Sequence, residues 1–180
     1  MVAALSRFST RAVTWDNVNA LMKLRLAPGQ ERFVAPNPVT IAQAAYEPAA
    51  DLLALYAGDA PVGLMSILDM TREGPSISDG EPRDGAFIWR LMVDVRQQGR
   101  GYGKAALGAA AVWAKARGLK KLYVSTVPGD GSPPLPGRAC QPKADMLACK
   151  NWRRKKMPKI STSGARSSPA IGGNTRRMGT

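Results

Sequence analysis

Apolar and polar positions alternate over residues 8–12. Phe8, Thr10 and Ala12 share one side, with Arg7, Ser9 and Arg11 on the other, which predicts a short half-exposed strand. The period then lengthens. Val18, Leu21, Met22 and Arg25 recur at helical spacing behind Thr14 and Asp16, two good capping residues, and this helix is expected to end near Ala27-Pro28-Gly29. Pro36 and Pro38 break the next stretch, and residues 40–46 read as a second short helix. Apolar runs over 52–57 and 62–70 flank Gly58-Asp59 and predict a hairpin. Residues 71–85, with Gly74, Pro75, Gly80 and Pro82, read as a loop. Residues 86–95 are largely apolar, the pattern of a strand covered on both faces. The alanine-rich run 105–116 has high helix propensity and ends at Gly118, a left-handed cap. Residues 122–127 are a last buried strand. The order strand, helix, helix, three strands, helix, strand gives an α/β (α+β) chain with a mixed central sheet flanked by helices. Its last strand–helix–strand unit forms a right-handed parallel crossover, and the earlier strands an antiparallel meander.

The chemistry concentrates where the apolar strand meets the alanine-rich helix. Gly99, Gly101 and Gly103 let the backbone turn tightly and bring N–H groups near a ligand. The helix that follows adds unsatisfied donors and the positive end of its dipole, and Arg96, Arg100 and Lys104 add formal charge. The expected ligand carries phosphate. A dinucleotide fingerprint fails at its sixth position, which is Lys104, and a P-loop fails at Gln98 and Ala105.

What fits is Arg-x-x-Gly-x-Gly, read as Arg96, Gly99 and Gly101 at a strand-to-helix junction. This resembles the coenzyme A pyrophosphate loop of the GNAT family of N-acetyltransferases. The preceding run Trp89-Arg90-Leu91-Met92-Val93-Asp94 looks most like the bacterial spermine/spermidine (diamine) branch. The resemblance covers roughly residues 6–132 and also takes in Gln30 and the segment Phe33-Val34-Ala35-Pro36-Asn37, similar to the family's substrate side. It implies the GNAT acyl-CoA N-acyltransferase fold, whose two parallel strands splay around the pantetheine arm. It also implies acetyl-CoA as co-substrate, bound by Leu91, Met92, Val93, Arg96, Gln98, Gly99, Arg100, Gly101, Tyr102, Gly103 and Lys104. Leu91, Met92 and Val93 pair with pantetheine in this reading, and a backbone N–H near Met92 or Val93 is the oxyanion donor. The implied reaction is acetyl transfer to a primary amine, a polyamine such as spermidine or spermine. The partners are that small-molecule amine and, as an assembly, a homodimer.

An alkyl amine is charged at neutral pH and must lose a proton before it attacks. Asp94, Asp84 and Glu81, acting through water, are the candidates to take it. Glu31, Glu47, Asp51 and Asp69 are scattered candidates to hold a polycation. Trp15, Trp89 and Trp113 read as core or helix-packing residues, and Tyr102 and Tyr123 as packing residues. The chain has no histidine, so a histidine base is excluded. Cys140 and Cys149 lack metal-ligand spacing, and neither a metal site nor a disulfide framework is expected.

Charge divides the chain into two expected regions, a core over 1–132 and a basic, low-complexity tail over 133–180. Eleven Lys and Arg against Asp145 place ten of the thirteen net charges in that tail. The family pattern would continue there with a helix bearing a Phe-Tyr pair and two more strands. No Tyr or Phe follows Tyr123, and strand-like alternation stops. The C-terminal helix and strands are expected to be missing, the tail disordered and turnover impaired. The rival reading is a non-catalytic protein that binds nucleic acid through this tail. No apolar run reaches membrane-span length, Met1 to Val13 lacks the apolar core of a signal peptide, and a cytoplasmic location is expected.

Overall fold

The computed structural model describes residues 7–77, 81–125 and 148–151. Six strands form one sheet in sequence order: β1 (Phe8–Ala12), β2 (Ala50–Ala57), β3 (Ala60–Asp69), β4 (Ala86–Val93), β5 (Lys121–Val124) and β6 (Ala148–Asn151). Strands β1 to β4 are antiparallel, and β5 and β6 continue parallel to β4. The meander and the parallel crossover match the sequence expectation. β6 corrects the expectation that the C-terminal strands are missing: residues 148–151 pair with β5. The rest of the expected tail lies outside the described residues.

Three helices cover the sheet: α1 (Trp15–Met22), α2 (Asn37–Ala44) and α3 (Tyr102–Ala116). Thr14 caps α1, with the Asn17 side chain accepting from the Thr14 amide at 2.9 Å. This helix is shorter than expected and stops at Met22, and Gln30–Arg32 adds a 3₁₀ turn behind the left-handed Gly29. The second helix starts three residues early, because Pro38 sits in its first turn, where a missing N–H costs nothing. Asn37 at that start is buried and donates to the Leu21 carbonyl at 2.9 Å, tying α2 to α1.

One sheet face packs on α3. Ala106, Ala110 and Ala114 are fully buried, so the helix backbone lies close to Met65, Ile67, Ala86 and Ile88. Trp113 packs here as expected, and its Nε1 donates to Asp51 Oδ2 at 3.0 Å. Arg117 donates to the same oxygen at 2.6 Å with its guanidinium 4.0 Å above the Trp113 ring, which fixes the C-terminal end of α3 against β2. Gly118 closes the helix at φ 72, with its own amide on Lys115 and that of Leu119 on Ala114, both at 3.0 Å. The opposite face buries Leu21, Leu24, Tyr56, Leu64 and Met92 under α1 and α2, and Leu68, Met70, Phe87 and Tyr123 beside the 70–77 loop. Each large aliphatic side chain so buried contributes about 1.5–3 kcal/mol. Trp15 does not join either cluster. It is 87% exposed, which corrects its reading as a packing residue.

Gly63 shows how closely β3 and β4 approach. A Cβ there would lie 2.3 Å from the Met92 carbonyl oxygen, whereas one at Gly108 on α3 meets no atom within 4 Å. Gly63→Ala is therefore expected to destabilise the protein by about 2–3 kcal/mol. Gly108→Ala should stabilise it by about 0.5–1 kcal/mol through helix propensity. Urea unfolding of the two variants checks the pair, and a Gly63→Ala midpoint equal to the parent's would refute the close approach.

Candidate active site

β4 and β5 pair over three residues: Ala86 with Leu122, Phe87 with Tyr123 and Ile88 with Val124. β5 ends at Val124 while β4 runs on to Val93, so among the described residues this pairing stops at Ile88. At that point the β3–β4 register slips by one residue. Ser66 faces Arg90 and Ile67 faces Ile88, which leaves Trp89 as the extra residue of a bulge. Phe87, Trp89 and Met92 then pack on the α1/α2 side of the sheet, while Ile88, Leu91 and Val93 pack on the α3 side. The Arg90 guanidinium stacks 4.4 Å over the Trp89 ring and donates to Gln43 of α2 at 2.6 Å.

Hydrogen-bonded and open pairs alternate along an antiparallel ladder. The Asp94 amide donates to the Val62 carbonyl at 2.9 Å, so in this register the peptide groups of Met92 also turn toward β3. Those of Leu91 and Val93 turn the other way, toward the β5 side, where among the described residues no strand pairs with them, a stretch termed the gap. Met92 is thereby corrected as a partner for a substrate in the gap, because β3 occupies its backbone. The Val93 N–H is the donor that the geometry offers there. The Val93 carbonyl accepts from Gln98 Nε2 at 3.0 Å.

Past Val93 the chain makes a 3₁₀ turn (Val95–Gln97) and enters α3 through Gly99 at φ 74 and Gly101 at φ 86. Both values lie in the left-handed region that favours glycine. Gly103 is different: it lies inside the first turn of α3, and no atom comes within 4 Å of the position a Cβ would take. No side chain caps this helix. Its first α-helical bond runs from the Ala105 amide to Gly101, so the amides of Tyr102, Gly103 and Lys104 precede the ladder. Arg100 and Lys104 are exposed around them. The Tyr102 side chain is buried and stacked on Phe8 at 6.2 Å, leaving only its backbone to the site. Uncapped amides, open space at the glycines and two exposed cations suit a pyrophosphate, and the gap beside Leu91 and Val93 suits an extended amide-bearing arm.

Arg96 is committed elsewhere. Its Nε donates to Asp94 Oδ1 at 2.9 Å and its Nη2 to Oδ2 at 3.3 Å. Asp94 is fully buried and also accepts from the Arg96 amide at 3.0 Å and the Arg25 amide at 3.1 Å. The Arg96 guanidinium, helped by the two amides, holds this carboxyl below the usual carboxylate range against the opposing effect of burial. A carboxylate with four donors on it is a brace rather than a base. Asp84 is likewise engaged, by Lys121 and by the Tyr123 hydroxyl at 2.7 Å. Lys121 first, then Tyr123, keeps Asp84 low, while burial, reinforced by Asp84, pushes the Tyr123 hydroxyl up. This group lies at the start of β4 and β5, away from the gap. Glu81, the third candidate, lines a small pocket with Met70, Pro82, Phe87 and Tyr123.

Sequence reasoning missed Gln30 as a partner of Gln98. Their side-chain amides exchange two hydrogen bonds, at 2.8 and 3.3 Å, across 68 positions of sequence. No sequence pattern marks such a pair.

A parallel strand pair feeding an uncapped, glycine-entered helix offers free backbone donors of the kind a phosphorylated acyl carrier needs. The acetyltransferase (GNAT) family model matches residues 18–132, well over half of the chain, and the chain belongs to that family. It is an acetyl-CoA-dependent N-acetyltransferase that transfers acetyl to an amine. Solved structures similar to it include AAC(6')-Iy in complex with the bisubstrate analogue CoA-S-monomethyl-acetylneamine, at 16% identity and TM-score 0.48, over 68% of this chain and 82% of that one. An acetyltransferase from Thermus thermophilus matches at 19% and 0.49, over 65% and 74%. A GNAT family acetyltransferase from Staphylococcus aureus matches at 17% and 0.49, over 72% and 93%. No curated protein matches the sequence. Among the described residues no helix is long and apolar enough to cross a membrane.

Proposed function

We propose that this chain acetylates a primary amine of a polyamine, with acetyl-CoA held at residues 91–104. The observation that carries the cofactor site is the turn of the Leu91 and Val93 peptide groups away from β3, beyond the described pairing with β5, with the uncapped start of α3 following them. The amides of Tyr102, Gly103 and Lys104, with the charges of Arg100 and Lys104, anchor the pyrophosphate. The strand edge at Leu91 and Val93 orients the arm, and holding two reactants together is worth several orders of magnitude in rate. The Val93 N–H donates to the oxygen on which charge develops. Acetyl-CoA supplies the activated thioester. Loss of the amine proton runs through water, because Asp94 and Asp84 are already bonded to cations.

The polyamine reading rests on the resemblance of residues 89–94. Three of the four scattered carboxylates have other work. Asp51 holds Trp113 and Arg117, Asp69 accepts from the Thr71 amide and hydroxyl, and buried Glu47 accepts from Ala49 and Ser76. Glu31 is exposed on the 3₁₀ turn beside the substrate-side segment and is the carboxylate best placed for a cationic acceptor.

Isothermal titration with acetyl-CoA, followed by thiol release with spermidine, an aminoglycoside and an alanine-terminated peptide, tests both parts. Binding and turnover on spermidine are expected. Turnover is expected to be low by about 10² to 10⁴, the usual worth of general acid–base catalysis, because the carboxylates of Asp94 and Asp84 are already engaged. Turnover confined to the other two amines would overturn the polyamine reading, and absence of binding would overturn the site.

A further inference from the structure

We propose that Gln30 and Gln98, together with Asp94, form a joint that transmits occupancy of the phosphate turn to residues 25–37, of which Gln30 and Phe33 to Asn37 are the expected substrate side. The inference rests on the cofactor site proposed above. Gln30 is a hub. Its amide donates to Ala27 at 3.0 Å, its carbonyl accepts from Phe33 at 2.9 Å and Val34 at 3.2 Å, and its side-chain oxygen accepts from Ala27 at 3.2 Å. The same side chain exchanges two hydrogen bonds with Gln98. Gln98 in turn holds the Val93 carbonyl, on the residue whose N–H faces the gap. One amide pair therefore connects the β4 edge, the phosphate turn and the segment carrying Phe33 and Val34.

A second connection runs beside it. Asp94 Oδ2 accepts from the Arg25 amide, and the Arg25 carbonyl accepts from the Val95 amide at 2.9 Å. The other end of the Asp94 brace is Arg96, which is 76% exposed, while Asp94 itself has no exposed surface. A ligand that orders the turn therefore also steadies the Asp94 oxygens, which accept from the Arg96 amide on one side and position Arg25 on the other. Movement of the turn thus reaches the substrate side through hydrogen bonds to rigid groups rather than through solvent. Gly29, left-handed at φ 82 with no atom within 4 Å of a would-be Cβ, gives the segment room to answer. Gln30 and Gln98 are positioning residues in this scheme. Reciprocity requires that an acceptor seated on the segment also tighten coenzyme binding, by a factor on the order of ten.

Hydrogen exchange on the full chain, with and without saturating coenzyme A, tests the joint without needing to know the acceptor. In the parent, coenzyme A is expected to slow exchange at residues 95–104 and also at 25–34. Gln30→Ala should keep the first protection and lose the second, with coenzyme affinity within about threefold of the parent. Gln30→Glu retains both acceptor positions, toward Ala27 and toward Gln98 Nε2, and should restore the protection at 25–34. A purely structural Gln30 would raise exchange at 25–34 equally with and without coenzyme A, which overturns the proposal. So would protection of the parent at 95–104 alone, or a Gln30→Ala protein that still protects 25–34 on binding. No protection anywhere would overturn the cofactor site itself, and the joint with it.

Discussion

Gly101→Asp is expected to abolish acetyl-CoA binding, with at least a hundredfold rise in Kd by isothermal titration, while the protein stays folded. Gly101 is the N-cap of α3 at φ 86. A side chain in that conformation costs about 1–2 kcal/mol, but Asp is among the residues that tolerate it and is a favourable N-cap. The introduced carboxylate would accept from the first-turn amides, the donors left for the pyrophosphate. It would also place a negative charge near the phosphates. Two like charges about 4 Å apart repel by about 1 kcal/mol in bulk water and about 4 kcal/mol near a protein surface. Lost donors and repulsion together exceed a factor of one hundred. Gly101→Asn, of the same shape without the charge, should lose about tenfold. An Asp variant that binds as tightly as the parent would show that the phosphates lie elsewhere.

Asp94→Asn should lower stability by about 2–3 kcal/mol at pH 7, the scale of a charged hydrogen bond lost in a buried site. The amide substitution turns an NH₂ group toward donors and leaves at least one of them without an acceptor. The folded carboxyl titrates below its ordinary value, so its stabilising contribution is complete above about pH 4 and disappears as pH falls through the folded value. The difference in unfolding free energy between parent and variant should therefore be largest at neutral pH and shrink toward pH 2. Arg96→Ala should cost much less, because the exposed guanidinium leaves Asp94 its two backbone donors. Denaturant unfolding across pH 2–7 measures both effects. A gap between parent and Asp94→Asn that stays constant over this range would mean that Asp94 is not charged in the folded protein.

The phosphate turn was legible because its requirements are local. Left-handed φ values at Gly99 and Gly101 and an alanine-rich helix behind them belong to a dozen consecutive residues. The hairpin at Gly58-Asp59, with Gly58 at φ 63, was legible for the same reason. Arg96 was misread because charge in a motif does not reveal its partner. The sequence places Arg96 two residues from Asp94, but only the fold buries that carboxylate and brings Arg25 to its other oxygen. Trp15 was misread because helical spacing marks a face without saying whether anything packs on it. β6 was missed because four residues without apolar alternation carry no strand signal, and pairing with β5 supplies the hydrogen bonds that define them.

By itself the sequence determined the succession of elements from β1 to β5, the family and the glycine turn that enters α3, since each depends on short-range preferences of residues adjacent in the chain. The tertiary structure decided which peptide groups point into the gap, through the Trp89 bulge and the β3 register. It also decided which carboxylates are already engaged, and that Gln30 meets Gln98. Those outcomes depend on pairings between distant segments, and such pairings exist only once burial of the shared apolar faces has fixed the strands and helices against one another.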